Sequence, residues 1–155
     1  IVYKPLFSYE MVGLCAKDHP LAAKEVWQAE DFIDQTLITY PVPDDMLYLL
    51  RKVLHPKGIN PTRRTSELTI AIIQLVASKR GVAALPFWAA KPYLHRGYIV
   101  PRKITEQGLH SNLYAATREL DSQMAFVDDF YETVKAQSFS TLPELSILEE
   151  ISLYV

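Results

Sequence analysis

From residue 66 to residue 88 the chain passes from polar to almost wholly apolar, and the pattern predicts a helix start, a buried helix, a stop and a short buried strand. Thr65, Ser66 and Thr69 place hydroxyls where the first helical N–H groups lack intrahelical partners, and Leu68, Ile70, Ile72, Ile73, Leu75 and Val76 leave almost no polar stripe. Such a helix belongs inside a protein. Its N-terminal end, where it opens onto a cleft, favours a small anion such as a carboxylate. Gly81 ends the helix, and VAALP follows as a strand.

The rest of the chain alternates in the same way. Residues 1–7 and 9–16 read as two extended runs separated by Ser8, and Lys17-Asp18-His19-Pro20 reads as a turn. A short amphipathic helix is expected over 29–35, then a β-branched strand over 36–40 that Pro41 and Pro43 stop. Pro43-Asp44-Asp45 opens a helix carrying Met46, Leu47, Leu50, Val53 and Leu54, which Pro56 and Gly58 close. Residues 59–65 are extended, 87–95 form a helix broken around Pro92, and 98–100 and 111–117 are strands. Asp121 or Ser122 caps a last helix with Met124, Val127, Tyr131 and Val134 on one face. This alternation implies an α/β architecture with a largely parallel sheet. The extended passages 36–41 and 113–117 bracket a self-contained middle and read as paired crossovers between two lobes, with a ligand cleft between the lobes.

Composition narrows the function. The 155 residues are 49% hydrophobic and 22% charged, as in an ordinary globular protein. Lysine and arginine number 16 against 18 acids, so a net charge of −2 gives this chain no general attraction to a phosphate backbone. A single cysteine, Cys15, excludes an intrachain disulfide framework and suits a reducing compartment; the cytoplasm is the expected location. No membrane segment and no signal core is expected, and the absence of an initiator methionine suggests a piece of something longer.

Three separated blocks carry a family resemblance: PLFSYEMVGLCAKDHPLA at 5–22, EDFIDQTLITYP at 30–41 and IIQLVASKRGVAALP at 72–86. Together they resemble the effector-binding domain of LysR-type transcriptional regulators over roughly residues 1–137. Within that family the resemblance is greatest to the branch governing methionine biosynthesis, whose co-regulating ligand is homocysteine. It implies a two-lobed, periplasmic-binding-protein-like α/β domain, with a DNA-binding winged helix-turn-helix outside this sequence. Residues 1–40 and 111–137 would be the remnant of a truncated first lobe, 41–110 a nearly complete second lobe, and 138–155 a tail outside the resemblance. Lys79-Arg80-Gly81 stands where most of the family has a glycine-rich pair, a departure shared with the methionine branch.

By the same resemblance, Glu67 and Thr69 lie at the helix tip, with Tyr40-Pro41 and Pro86-Phe87-Trp88 as the two rims of the cleft. An amino acid ligand needs donors for its carboxylate, an acceptor for its ammonium and an apolar wall, and these seven residues offer all three. Thr69 and the first helical N–H groups would hold the carboxylate, Glu67 the ammonium, and Trp88, Phe87 or Tyr40 the side chain. The plain alternatives are that Glu67 only complements the helix dipole and that Trp88 is core. Arg63-Arg64 and Lys79-Arg80 read most simply as solvated charges, or, in an assembled regulator, as partners for acids on another subunit. Cys15, Asp18 and His19 form no complete nucleophile constellation, and His55, His95 and His110 lack metal spacing, so neither catalysis nor a metal site is expected. The expected function is therefore small-molecule sensing by a homo-oligomeric regulator, and a truncated first lobe would expose apolar surface and self-associate. The competing reading is a solute-binding module of the same two-lobed kind.

Overall fold

Residues 1–148 are described by a computed structural model, in which the chain divides into two compact units, Glu10–Leu109 and Ile1–Tyr9 with His110–Val155. The larger unit is built on a mixed sheet whose strands are β1 (Val2–Ala16), β2 (Val26–Trp27), β3 (Thr36–Thr39), β4 (Thr62–Thr65), β5 (Val82–Pro86) and β6 (Ile99–Ile104). Their order is β2-β6-β1-β5-β3-β4. β3 runs parallel to both β4 and β5, β2 runs parallel to β6, and β1 is antiparallel to β5 and β6.

Side-chain alternation along these strands makes two cores. Val12, Leu14, Ile38, Ala83 and Leu85 face one way, against Ile72, Ile73 and Val76 of α1 (Thr69–Ala77) and Ala90 of α2 (Phe87–Leu94). Cys15, Leu37 and Val82 face the other, against Trp27, Phe32, Leu49, Leu50 and Leu54. Both faces of the sheet are therefore covered, and its central strands read as continuous apolar runs for that reason. Trp27 is fully buried, its indole N–H donates to the Leu21 carbonyl at 3.0 Å, and its ring meets Phe32 edge-on at 5.6 Å. Gly13 of β1 makes room for it: a Cβ there would lie 2.4 Å from the Trp27 ring. At Gly81 the backbone takes φ +157 and a Cβ would lie 2.3 Å from the Thr36 carbonyl oxygen, so the turn from α1 into β5 depends on glycine.

Several local expectations change. The two runs 1–7 and 9–16 are one strand, because Ser8 is paired through its backbone with Ser146, at 2.9 and 3.0 Å, and does not interrupt it. The helix expected from Pro43 breaks into a 3-10 turn (Asp44–Met46), a π-helical turn (Leu50–Leu54) and a second 3-10 turn (His55–Lys57), closed by Gly58 at φ 70. Pro56 explains the irregular end, since it offers no N–H to an α-helical ladder. The helix expected over 29–35 is a 3-10 turn, Ala29–Phe32, held by Asp31 accepting the Gln28 N–H at 2.8 Å. His19 starts another, Pro20–Ala23, by accepting the Leu21 N–H at 3.1 Å. Residues 10–40, expected with the flanking lobe, pack in the larger unit because the second half of β1 is hydrogen-bonded between β5 and β6.

In the smaller unit β7 (Leu109–Thr117) pairs with β1, and α3 (Ala125–Thr141) supplies the buried Tyr131. The Tyr131 hydroxyl donates to the Pro5 carbonyl at 2.5 Å, and Phe139 meets Phe7 edge-on at 6.5 Å. α3 begins after Met124 with no side-chain cap, so neither Asp121 nor Ser122 caps it; Asp121 instead ends a 3-10 turn and pairs with Arg118. Residues 138–141 belong to α3, and Leu145 is buried, so the segment beyond 137 begins as part of this unit; residues 149–155 lie outside the described residues.

Replacing Gly13 with alanine should push Trp27 out of place and lower stability by about 1–3 kcal/mol, read as a drop in the thermal midpoint with loss of near-UV tryptophan signal.

Candidate functional site

Parallel pairing places the carboxyl ends of β3, β4 and β5 on one edge of the sheet. From β3 the chain moves outward to β4, and from β4 it crosses back over β3 to β5. The strand order reverses there, which is where open α/β sheets bind ligands. Tyr40 directly follows β3, Glu67 and Thr69 follow β4, Pro86 ends β5, and Phe87 and Trp88 open α2. One close contact joins two of these residues: the Tyr40 hydroxyl and Thr69 Oγ1 lie 2.6 Å apart. Tyr40 and Phe87 both pack against the core beneath α1. Glu67 and Pro41 are exposed, whereas Pro86 and Trp88 are half-buried.

The tip of α1 differs from expectation in its chemistry. Leu68 occupies the cap position with no side-chain cap bond, while Ser66 continues the extended chain by donating its N–H to the Thr39 carbonyl at 2.9 Å. The hydroxyls of Thr65 and Ser66 therefore do not cap the helix. Leu68 and Ile70 are also exposed, so the first turn of α1 faces outward while Ile72, Ile73 and Val76 are buried.

Arg63, expected to be a solvated charge, holds the chain as it leaves β3. Its Nη2 donates to Thr39 Oγ1 at 2.9 Å, to the Val42 carbonyl at 3.1 Å and to the Tyr40 carbonyl at 3.4 Å. Nε also reaches Thr39 Oγ1, at 3.3 Å, and Nη1 pairs with Asp44, which His55 approaches at 3.7 Å. Only the fork geometry of a guanidinium serves acceptors in so many directions. The two arginines read as a charge run in sequence, and only β-strand alternation separates Arg63, half-buried, from the exposed Arg64.

Beside these strand ends lies a recess with about 30 Å³ of free room. Met11, Thr39, Tyr40, Leu47, Tyr48 and Ala84 are among its walls, and no charged side chain lines it. Lys79, also expected to be solvated, pairs with Asp18 at 2.5 Å and takes φ 59 at the turn after α1. That hydrogen bond holds the Asp18 carboxyl below its ordinary range. Cys15 is sealed in the core, and burial pushes its thiol up to about 11 against the small opposing pull of Arg102. A thiol held protonated at neutral pH is no nucleophile. Among the described residues no cluster of His, Cys, Asp or Glu could hold a metal ion.

Comparison with known proteins agrees with this architecture. Residues 1–138 match the LysR substrate binding domain. The chain is 68% identical over 148 residues to the HTH-type transcriptional regulator MetR of Haemophilus influenzae, covering 96% of this chain and 48% of that protein. It is 36% identical over 141 residues to MetR of Escherichia coli K12, covering 91% and 44%. Among solved structures it is similar to the regulatory domain of MetR from N. meningitidis, with 61% identity and a TM-score of 0.91, covering 96% of this chain and 68% of that one. The chain thus spans about half the length of the curated relatives it matches.

Two measurements probe these assignments. Arg63→Met should cost about 1–3 kcal/mol by removing the donor to the Val42 carbonyl and to the buried Thr39 hydroxyl oxygen, with Arg63→Lys recovering only part of that in denaturant titration. Cys15 gives a pH signature. Its folded pKa of about 11 exceeds the ordinary 9.0, so the folded state holds the proton longer and stability is complete below pH 9, then falls as pH rises toward 11. The loss should be about 2–3 kcal/mol, and Cys15→Ala should remove that slope.

Proposed function

The chain belongs to the LysR substrate-binding domain family, and on that premise we propose that it senses homocysteine or a closely similar small amino acid to control methionine-biosynthesis genes. The proposal is carried by one observation: two residues that the resemblance assigns to helix tip and rim, Thr69 and Tyr40, meet at 2.6 Å at the strand-order reversal. Two hydroxyls joined by one hydrogen bond keep one O–H to spare. That O–H, with the uncapped first-turn N–H groups of α1, suits a ligand carboxylate. Glu67 stands exposed beside them for the ammonium, and Phe87, Trp88 and the Tyr40 ring supply apolar surface. Pro86 holds one rim in extended backbone, and Pro41 sits at the centre of a tight turn closed by the Val42 N–H donating to the Tyr40 carbonyl at 2.9 Å.

The reading requires no covalent step, in keeping with relatives that are transcriptional regulators. Ligand binding would bias the regulator between conformations, and DNA contact would come from a winged helix-turn-helix outside this sequence. We place this activity in the cytoplasm and in a homo-oligomer. Leu120, Phe126 and Phe130 of the smaller unit are exposed, which favours association. Among the described residues no helix is long and apolar enough to cross a membrane.

Calorimetric titration with homocysteine tests the site. Thr69→Val and Glu67→Gln should each weaken binding about tenfold or more, in line with about 1.5–3 kcal/mol for hydrogen bonds to charged groups, while leaving the fold intact. Heats identical to those of the parent in both variants would remove this site from the reading.

A further inference from the structure

Resting on that reading, we propose that the small recess at the ends of β3 and β5 is the side-chain subsite, accepting the unbranched, uncharged terminus of the amino acid, a thiol or methyl group. Three observations lead there. The recess shares Tyr40 with the proposed head-group site and lies at the same strand-order reversal, with Met11 opposite Pro86 in the β1–β5 register. Two of its three hydroxyls already have protein partners. The Thr39 hydroxyl donates to the Tyr40 carbonyl at 3.0 Å and accepts from Arg63, and the Tyr40 hydroxyl pairs with Thr69. The rest of its walls, Met11, Leu47, Ala84 and the Tyr48 ring among them, is apolar.

Size completes the argument. The recess has room for one or two water-sized groups, so a terminal thiol or methyl group fits, and a charged end would lose its hydration there. Filling it with an apolar group gains about fourfold in affinity per buried methylene-sized unit, whereas a hydroxyl there would give up its water for mainly apolar walls. The subsite therefore selects among amino acids by their tails, while Tyr40, Thr69 and Glu67 select for the shared head group.

The test compares tails and wall variants by calorimetric titration of this chain. The parent should bind homocysteine and norvaline with similar affinity and homoserine about tenfold or more weakly. Ala84→Val should fill the recess and weaken homocysteine and norvaline about tenfold, leaving homoserine nearly unchanged. Leu47→Ala should enlarge it and shift preference toward the longer methionine. Circular dichroism and thermal midpoints confirm that each variant is folded, and should Ala84→Val fail to fold, Leu47→Ala alone decides. A parent that binds homoserine as well as homocysteine, or folded variants that keep the parent's order of tails, overturns the subsite and leaves the sensing function standing. A parent that binds none of these amino acids overturns both.

Discussion

A single guanidinium governs the edge of the sheet where ligand chemistry is proposed. β3 ends at Thr39, and the chain must then leave the sheet past two prolines, Pro41 and Pro43, that can donate no backbone hydrogen bond. The Tyr40 carbonyl takes the Val42 N–H and the Thr39 hydroxyl, but the Val42 carbonyl and the acceptor side of the buried Thr39 hydroxyl need another donor. Arg63 on the neighbouring strand meets both and pairs with Asp44 beyond. It can do so because β3 and β4 are parallel and in register, with Ile38 opposite Arg64 and Leu37 opposite Arg63. The loop's shape is thus set from the strand beside it.

From that constraint the position of Tyr40 follows. With its carbonyl held by Arg63, its ring settles on the core under α1 and its hydroxyl reaches the first residue of that helix. Most of what lines the adjoining recess is apolar, although a threonine and two tyrosines are among its walls. Two groups that the sequence offered for other chemistry are engaged in the same unit. Cys15, its one cysteine, lies inside the core with its proton held tightly, and Asp18 is tied to Lys79 on the surface.

Much of this was legible in sequence, and the exceptions have physical causes. The strands at 36–40 and VAALP, the helix at α1 and the family blocks all rest on apolar periodicity that local physics enforces, and they stand in the fold. The irregular helical turns after Pro43 were read as one helix because the apolar spacing is helical throughout, while the chain leaves helical geometry at Leu47, between Asp44–Met46 and Leu50–Leu54. Hydroxyl caps on α1 failed for a nonlocal reason: Ser66 is drawn into backbone pairing with Thr39, a partner 27 residues away in the chain. Arg63 failed likewise. Nothing in RRT distinguishes a solvated arginine from one facing four acceptor groups, since those acceptors belong to β3 and its loop.

The same nonlocality bears on how sensing would work. A ligand shifts a conformational equilibrium only by the difference in its affinity for the two states. If a carboxylate claims the spare O–H of the Tyr40–Thr69 pair, it acts on a bond that ties the end of β3 to the start of α1. Strengthening that tie favours the arrangement in which sheet edge and helix tip stay together, and Arg63 prevents the loop from absorbing the change by rearranging. A head group bound to surface charge alone would have no such purchase, because exposed ion pairs contribute little and adapt easily. Coupling of this kind needs a rigid loop and an engaged hydroxyl pair, and both stem from one arginine on the strand next door.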